Sequence, residues 1–188
     1  MAQIYLVMAG VMLCSISVCF LDQNLSAVHC VEKREIFKHL QEMKKIPSQL
    51  CVKDRIDFKF PWKRESITQI QKTEGTCYCY LMLQQISSVF SKKDSRAAWN
   101  TTLLDQLLSS LDLGLRRLEH MKKDNMDCPH VGSALRKYFQ GIQLYLKEKK
   151  YSPCAWEITV RVEIMRALSS TTKLQQRLRI MDVDLGSS

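Results

Sequence analysis

Cysteine is the residue type best placed to do chemistry in this chain. Eight occur in 188 residues, and six of them, Cys30, Cys51, Cys77, Cys79, Cys128 and Cys154, follow an apolar N-terminal segment that contains Cys14 and Cys19. In an oxidising compartment such thiols become disulfides, but spacing alone does not choose among the many pairings that six allow. Metal chemistry fits less well. Cys77-Tyr-Cys79 lacks the two-residue gap of the usual zinc clip, and Cys128-Pro-His130 offers a second, equally weak hint. Catalysis finds no foothold either. The four histidines, His29, His39, His120 and His130, lie far apart in sequence. There is no Gly-x-Ser-x-Gly elbow, His-Glu-x-x-His helix or phosphate-cradling glycine loop. No catalytic residue, metal ligand or cofactor is predicted, and the chain reads as a binding protein, not an enzyme.

The N-terminus supplies the oxidising compartment. Ile4 to Val18 is apolar and too short to span a bilayer comfortably. Ser17 and Cys19 are small residues at the positions a signal peptidase reads, which places cleavage near residues 19–21. Residues 1–21 are thus predicted to be a signal peptide and 22–188 one secreted domain, with no membrane insertion. The chain carries 28 Lys and Arg against 19 Asp and Glu, a formal charge of +9. Acidic receptors or sulfated glycans suit such a surface. Lys and Arg form no run of the length that nucleic-acid arms use, which argues against that partner. Asn24-Leu-Ser26 and Asn100-Thr-Thr102 are N-glycosylation sequons, Asn100 near the start of a predicted helix.

The elements that must position these residues are helices. Apolar residues recur at helical spacing, and prolines number only four. A first helix fits Asp22 to Met43, and a long connection from Lys44 to Glu65 is broken by Pro47 and Pro61. A second helix fits Ser66 to Ser91, with Gly75 a weak point inside it. A third, Arg96 to Met121, carries the stripe Leu104, Leu107, Leu108, Leu111, Leu115 and Leu118. Lys122 to Gly132 reads as a loop, with Ser133 capping a fourth helix to Lys149 that turns Leu135, Tyr138, Phe139, Ile142 and Leu146 inward. The fifth begins at Pro153 and fades near Arg179, with Ser152 as N-cap and Pro153 at the first helical position. Along it Arg161, Met165, Arg166 and Ser169 share one side, charged and apolar at once. The fold class is all-α: a five-helix antiparallel bundle of the helical cytokine class, with a long first crossover connection.

Four blocks carry a resemblance. They are Leu50-Cys-Val-Lys-Asp-Arg-Ile-Asp-Phe-Lys-Phe-Pro61, Lys93-Asp-Ser-Arg-Ala-Ala-Trp-Asn100, Arg136-Lys-Tyr-Phe-Gln140 with Leu144-Tyr-Leu-Lys-Glu-Lys-Lys150, and Tyr151-Ser-Pro-Cys-Ala-Trp-Glu157. In order and across the mature chain, they resemble the type I interferons, and the extra cysteines with the compact loop before Gly132 resemble the delta-type (trophoblast) members. The resemblance implies a monomeric cytokine that binds the two chains of the interferon-α/β receptor on opposite faces and activates Janus kinases, STAT factors and antiviral genes. It implies a Cys51–Cys154 disulfide and, by default, a Cys30–Cys128 disulfide. A helical cytokine acting through a different receptor is the nearest rival, and a small secreted enzyme the more distant one.

Matched residue by residue, the family's high-affinity receptor site falls on Val52, Arg55, Arg161, Val162, Met165, Arg166 and Ser169. The low-affinity site falls on Leu103 and Arg136, while Ser87, Ser88, Lys92, Leu108 and Asp112 occupy other positions of that face without the family's bulky residues. Gly141 replaces the family's usual arginine. The last helix departs from the family in one further respect. Three residues, Ile158, Thr159 and Val160, stand between Glu157 and Arg161 where the family has two. One extra residue turns a regular helix by about 100°, so the Arg161–Ser169 patch would rotate away from Cys154 unless a π-bulge absorbs it. A bulge between Glu157 and Arg161 is predicted.

Overall fold

A computed structural model describes residues 33–43, 46–62, 72–120 and 128–174. The predicted signal peptide, Asn24, Cys30, the start of the first predicted helix and the chain beyond residue 174 lie outside the described residues. Within them the fold is all-α: α1 Lys33–Glu42, α2 Lys72–Phe90, a short α3 Lys93–Ala98, α4 Thr101–His120, α5 Pro129–Glu148, and a last helix beginning as α6 Pro153–Glu157. The first connection holds a 3₁₀ turn, Ser48–Asp54.

α2 is the central strut. It packs against α4 on one side and α5 on the other, while α1 lies on α4. Its sequence accounts for this, since Tyr78, Met82, Leu83, Ile86, Val89 and Phe90 are all essentially buried and spread over a broad face of about 140°, wide enough to meet two neighbours. Gly75 does not break it. α4 shows the simpler one-faced pattern: Leu104, Leu107, Leu111 and Leu118 are buried, whereas Leu108 and Leu115 are half-buried. All five predicted inward residues of α5 are buried.

Three features differ from the sequence reading, two of them helix boundaries. The predicted third helix divides at Trp99, which is extended (φ −120°, ψ 156°) and buried. Asn100 then restarts the chain by accepting the Leu103 N–H on its Oδ1 at 3.2 Å, an N-cap bond. α5 begins at Pro129, one turn before Ser133, because proline fills the first helical position without losing a hydrogen bond. Ser133 is an exposed mid-helix residue.

The third difference is covalent. Cys128 is bonded to Cys77, so the expected Cys30–Cys128 bond does not form. α2 and α5 run parallel, since Cys77 meets Cys128 and Lys92 reaches Gln143 farther along. The second turn of α2 therefore lies beside the N-cap of α5, with the two Cα atoms 6.4 Å apart. Cys79 is also disulfide-bonded. The Cys51–Cys154 bond is present as expected, with Cα atoms 5.1 Å apart.

α5 turns into the last helix without glycine. Lys150 and Tyr151 both adopt left-handed backbone (φ 48° and 53°), a conformation costing an L-residue about 1–2 kcal/mol. The Tyr151 N–H closes the turn on the Leu146 carbonyl at 2.8 Å. Ser152 then caps the next helix by accepting the Ala155 N–H, with Pro153 at its first position. Trp156 anchors this last helix in the core, stacked on Phe90 and edge-on to Trp99.

Candidate functional site

The long connection reaches the last helix through several anchors acting together. Cys51 is tied to Cys154. Ser48 donates its hydroxyl to the buried Glu157 carboxylate at 2.6 Å. Tyr145 donates to the Asp54 carbonyl at 2.8 Å, and burial pushes that hydroxyl up to about 12. Lys149 pairs with the Asp54 carboxylate at 3.1 Å. Beyond Arg55 the chain is held by rings: Phe58 on Tyr145, Phe60 on Tyr138, and Trp62 on Tyr78, each edge-on. Phe58 and Phe60 alternate with the exposed Asp57 and Lys59, and Lys59 adopts left-handed backbone (φ 57°), so this segment buries its rings and shows charge to solvent.

Two grooves open where the segment meets the last helix. One, of about 380 Å³, is lined by Arg55, Ile56, Asp57, Ile158, Val162, Glu163 and Arg166. The other, of about 580 Å³, lies between Asp57, Lys59, Phe60, Trp62 and the helix residues Arg166, Ser169, Ser170 and Lys173. Asp57 and Arg166 line both and form the divide between them. The Lys59 N–H donates to Asp57 Oδ1, and this bond holds the Asp57 carboxyl below its usual range. Leu50, Val52 and Ile56 expose large apolar side chains on the same stretch. Cationic edges around apolar surface suit a protein partner.

The structure brings Arg55, Val162 and Arg166 around one groove and places Ser169 in the next. Val52 is exposed on the 3₁₀ turn that leads to Arg55. Met165 is half-buried and packs against the core. Arg161 is more withdrawn: it pairs with Glu157 at 3.5 Å, and its Nη2 donates to the Gln41 carbonyl at the end of α1. Leu103 is half-buried on α4 and Arg136 exposed on α5. These helices flank α2, and neither Leu103 nor Arg136 lines either of the two grooves. The Arg136 guanidinium lies over Gly132, where an added Cβ would sit 3.4 Å from it and 3.4 Å from Leu81. Exposed Asn100 spends Oδ1 on its cap. Lys59, Trp62, Lys173 and the buried Glu163 were not singled out from sequence. The alternation of aromatic and charged residues over 57–60 was the signal available for the first of them.

The extra residue has been absorbed. Ile158–Ile164 forms a π-helix, in which the Met165 N–H reaches the Val160 carbonyl five residues back. The wide turn runs past Arg161, farther than the bulge predicted before it, and α-helix resumes over 165–174. Trp156 and Val160 remain buried on the core side while Arg166 and Ser169 face outward.

Comparison with known proteins bears on what this site serves. Residues 25–178 match the interferon alpha/beta domain family. The chain is 45% identical over 179 residues to interferon omega-2 of Equus caballus, covering 90% of this chain and 88% of that one. It is 45% identical to interferon omega-1 of Homo sapiens and to interferon tau-11 of Ovis aries, at the same coverage. The fold is similar to that of zebrafish interferon 2, with a TM-score of 0.61 over 81% of this chain and 97% of the other at 20% identity. On these matches the chain belongs to the type I interferon family, whose members are cytokines and not enzymes.

Proposed function

We propose that this interferon is secreted after removal of residues 1–21 and acts as a monomer that brings together the two chains of the interferon-α/β receptor. The high-affinity chain binds the face formed by Val52, Arg55, Arg161, Val162, Met165, Arg166 and Ser169. The low-affinity chain binds the α4–α2–α5 face around Leu103 and Arg136. The receptor's kinases then activate JAK–STAT signalling and antiviral genes. The observation that carries this reading is the meeting of Arg55, Val162 and Arg166, distant in sequence, around one groove. Anchored arginines beside exposed apolar residues are what a high-affinity protein contact requires. The delta-type assignment rests on the extra cysteines, of which Cys77 and Cys79 are both oxidised. Glycans at Asn100 and Asn24 complete the reading; at Asn100 the cap uses Oδ1, which leaves Nδ2 for the sugar.

The purified secreted protein should induce an interferon-responsive reporter in cells, and an antibody that blocks the receptor should abolish the signal. Induction that persists under the antibody would assign a different receptor. Met165→Ala should weaken binding to the isolated high-affinity chain by more than about 1 kcal/mol, roughly fivefold or more, as expected of an apolar interface anchor. Surface plasmon resonance on a variant with an unchanged melting temperature reads this, and an unchanged Kd would remove Met165 from the site.

A further inference from the structure

We infer that Tyr138 and Glu163 form a buried relay that positions Arg166, so that a tyrosine inside the bundle sets the affinity of the receptor face; the inference rests on the receptor reading above. Glu163 is only 1% exposed. One of its oxygens, Oε2, accepts the Tyr138 hydroxyl and also faces Arg166 Nη1 at 3.6 Å. The other, Oε1, is buried without a hydrogen-bond partner. A carboxylate removed from water needs a paired charge and hydrogen bonds to offset its desolvation, and Tyr138 and Arg166 supply them. Glu163 and Arg166 stand three apart on the last helix, whereas Tyr138 comes from α5, so the relay links two elements.

Its outer end is the residue that divides the two grooves. The Arg166 side chain is 46% exposed, with Asp57 near enough that the arginine helps hold that carboxyl charged. Arg166 thus stands between a buried carboxylate behind it and an exposed one in front. The inner end is equally constrained. The Tyr138 ring is edge-on to Phe60 of the connection and to Phe139. Burial, and then its bond to Glu163, push the hydroxyl well above the usual tyrosine range, so it remains a proton donor. Without that hydroxyl the rings still pack, but Glu163 Oε2 keeps only Arg166. The carboxylate then draws the guanidinium inward, away from the groove mouth. Tyr138 and Glu163 are therefore positioning residues that act through Arg166.

A double-mutant cycle on the full secreted chain tests this, with Kd for the isolated high-affinity receptor chain as the readout. Tyr138→Phe should weaken binding about five- to tenfold in the native background and less than about twofold when Arg166 is already alanine, as coupled neighbours do. Glu163→Gln, which keeps an acceptor for Tyr138 and removes the charge, should show the same dependence on Arg166. An equal loss in both backgrounds, or no loss in the native one, overturns the relay while leaving the receptor face in place. An unchanged Kd for Arg166→Ala alone overturns the receptor assignment of Arg166 and the relay with it.

Discussion

Replacing Cys51 and Cys154 together by alanine lowers the stability of this protein by about 3–5 kcal/mol. The bond joins positions 103 residues apart, so reducing it releases a very large loop in the unfolded chain. Chain entropy is the first cause, but the folded state loses as well. Cys51 is fully buried under the 3₁₀ turn, and Cys154 fixes the first turn of the last helix. The Ser48–Glu157 and Tyr145–Asp54 hydrogen bonds and the Lys149–Asp54 ion pair remain to hold the turn. Each is worth on the order of 1 kcal/mol, so together they do not replace the bond. Denaturant unfolding should show a lower midpoint and, because the unlinked chain exposes more surface, a steeper slope. Binding to the high-affinity receptor chain should fall with it, since Arg55 follows directly on that turn. A loss below about 1 kcal/mol would mean that the polar and aromatic anchors suffice.

The bundle was legible because each helix repeats its signal. The leucines of α4 and the mixed aromatic and aliphatic residues of α5 recur over several turns, and one misplaced residue does not erase a stripe. Ends carry no such redundancy. The break at Trp99 is decided by a bulky ring entering the core beside Trp156, a contact between residues far apart in the chain. The Cys77–Cys128 bond was illegible for the same reason. It depends on α2 and α5 running parallel in adjacent positions, which the spacing of six cysteines does not encode. The default pairing of Cys128 with Cys30 failed because Cys77 takes Cys128 instead.

The candidate site divides along the same line. Cys51, Arg55, Arg166 and Ser169 stand in motifs specific enough to locate them, and the 3.6-residue period places the last two on the outer face. Periodicity did not reveal the company they keep. Glu163 falls at a helical position that alone suggests a solvated charge, yet it is buried because α5 sends a tyrosine to meet it. Arg161 looks equivalent to Arg166 in sequence. The structure separates them: Arg161 is turned to Glu157 and the end of α1, whereas Arg166 stands at the divide between the grooves.

Deleting Thr159 should stabilise the protein, by about 1–3 kcal/mol. The residue is fully buried, and its hydroxyl has no hydrogen-bond partner, a desolvation cost of about 1–3 kcal/mol in mutational series. Its removal also leaves two residues between Glu157 and Arg161, so the chain from Pro153 onward can form a regular α-helix. Trp156 and Val160 then stand three apart instead of four and still share the core face. The melting temperature should rise by about 2–4 °C for each kcal/mol gained. Thr159→Val separates the two contributions: it removes the hydroxyl, retains the extra residue, and should recover only the polar part, about 1 kcal/mol. Amide exchange over 158–165 should slow in the deletion variant and change little in Thr159→Val, because only the deletion replaces wide-turn bonds by regular ones. Affinity for the high-affinity receptor chain should hold or rise, since Arg161 to Ser169 keep their mutual spacing. A deletion variant that loses stability would show that the π-turn is a packed feature on which the last helix depends, and not the accommodation of one residue too many.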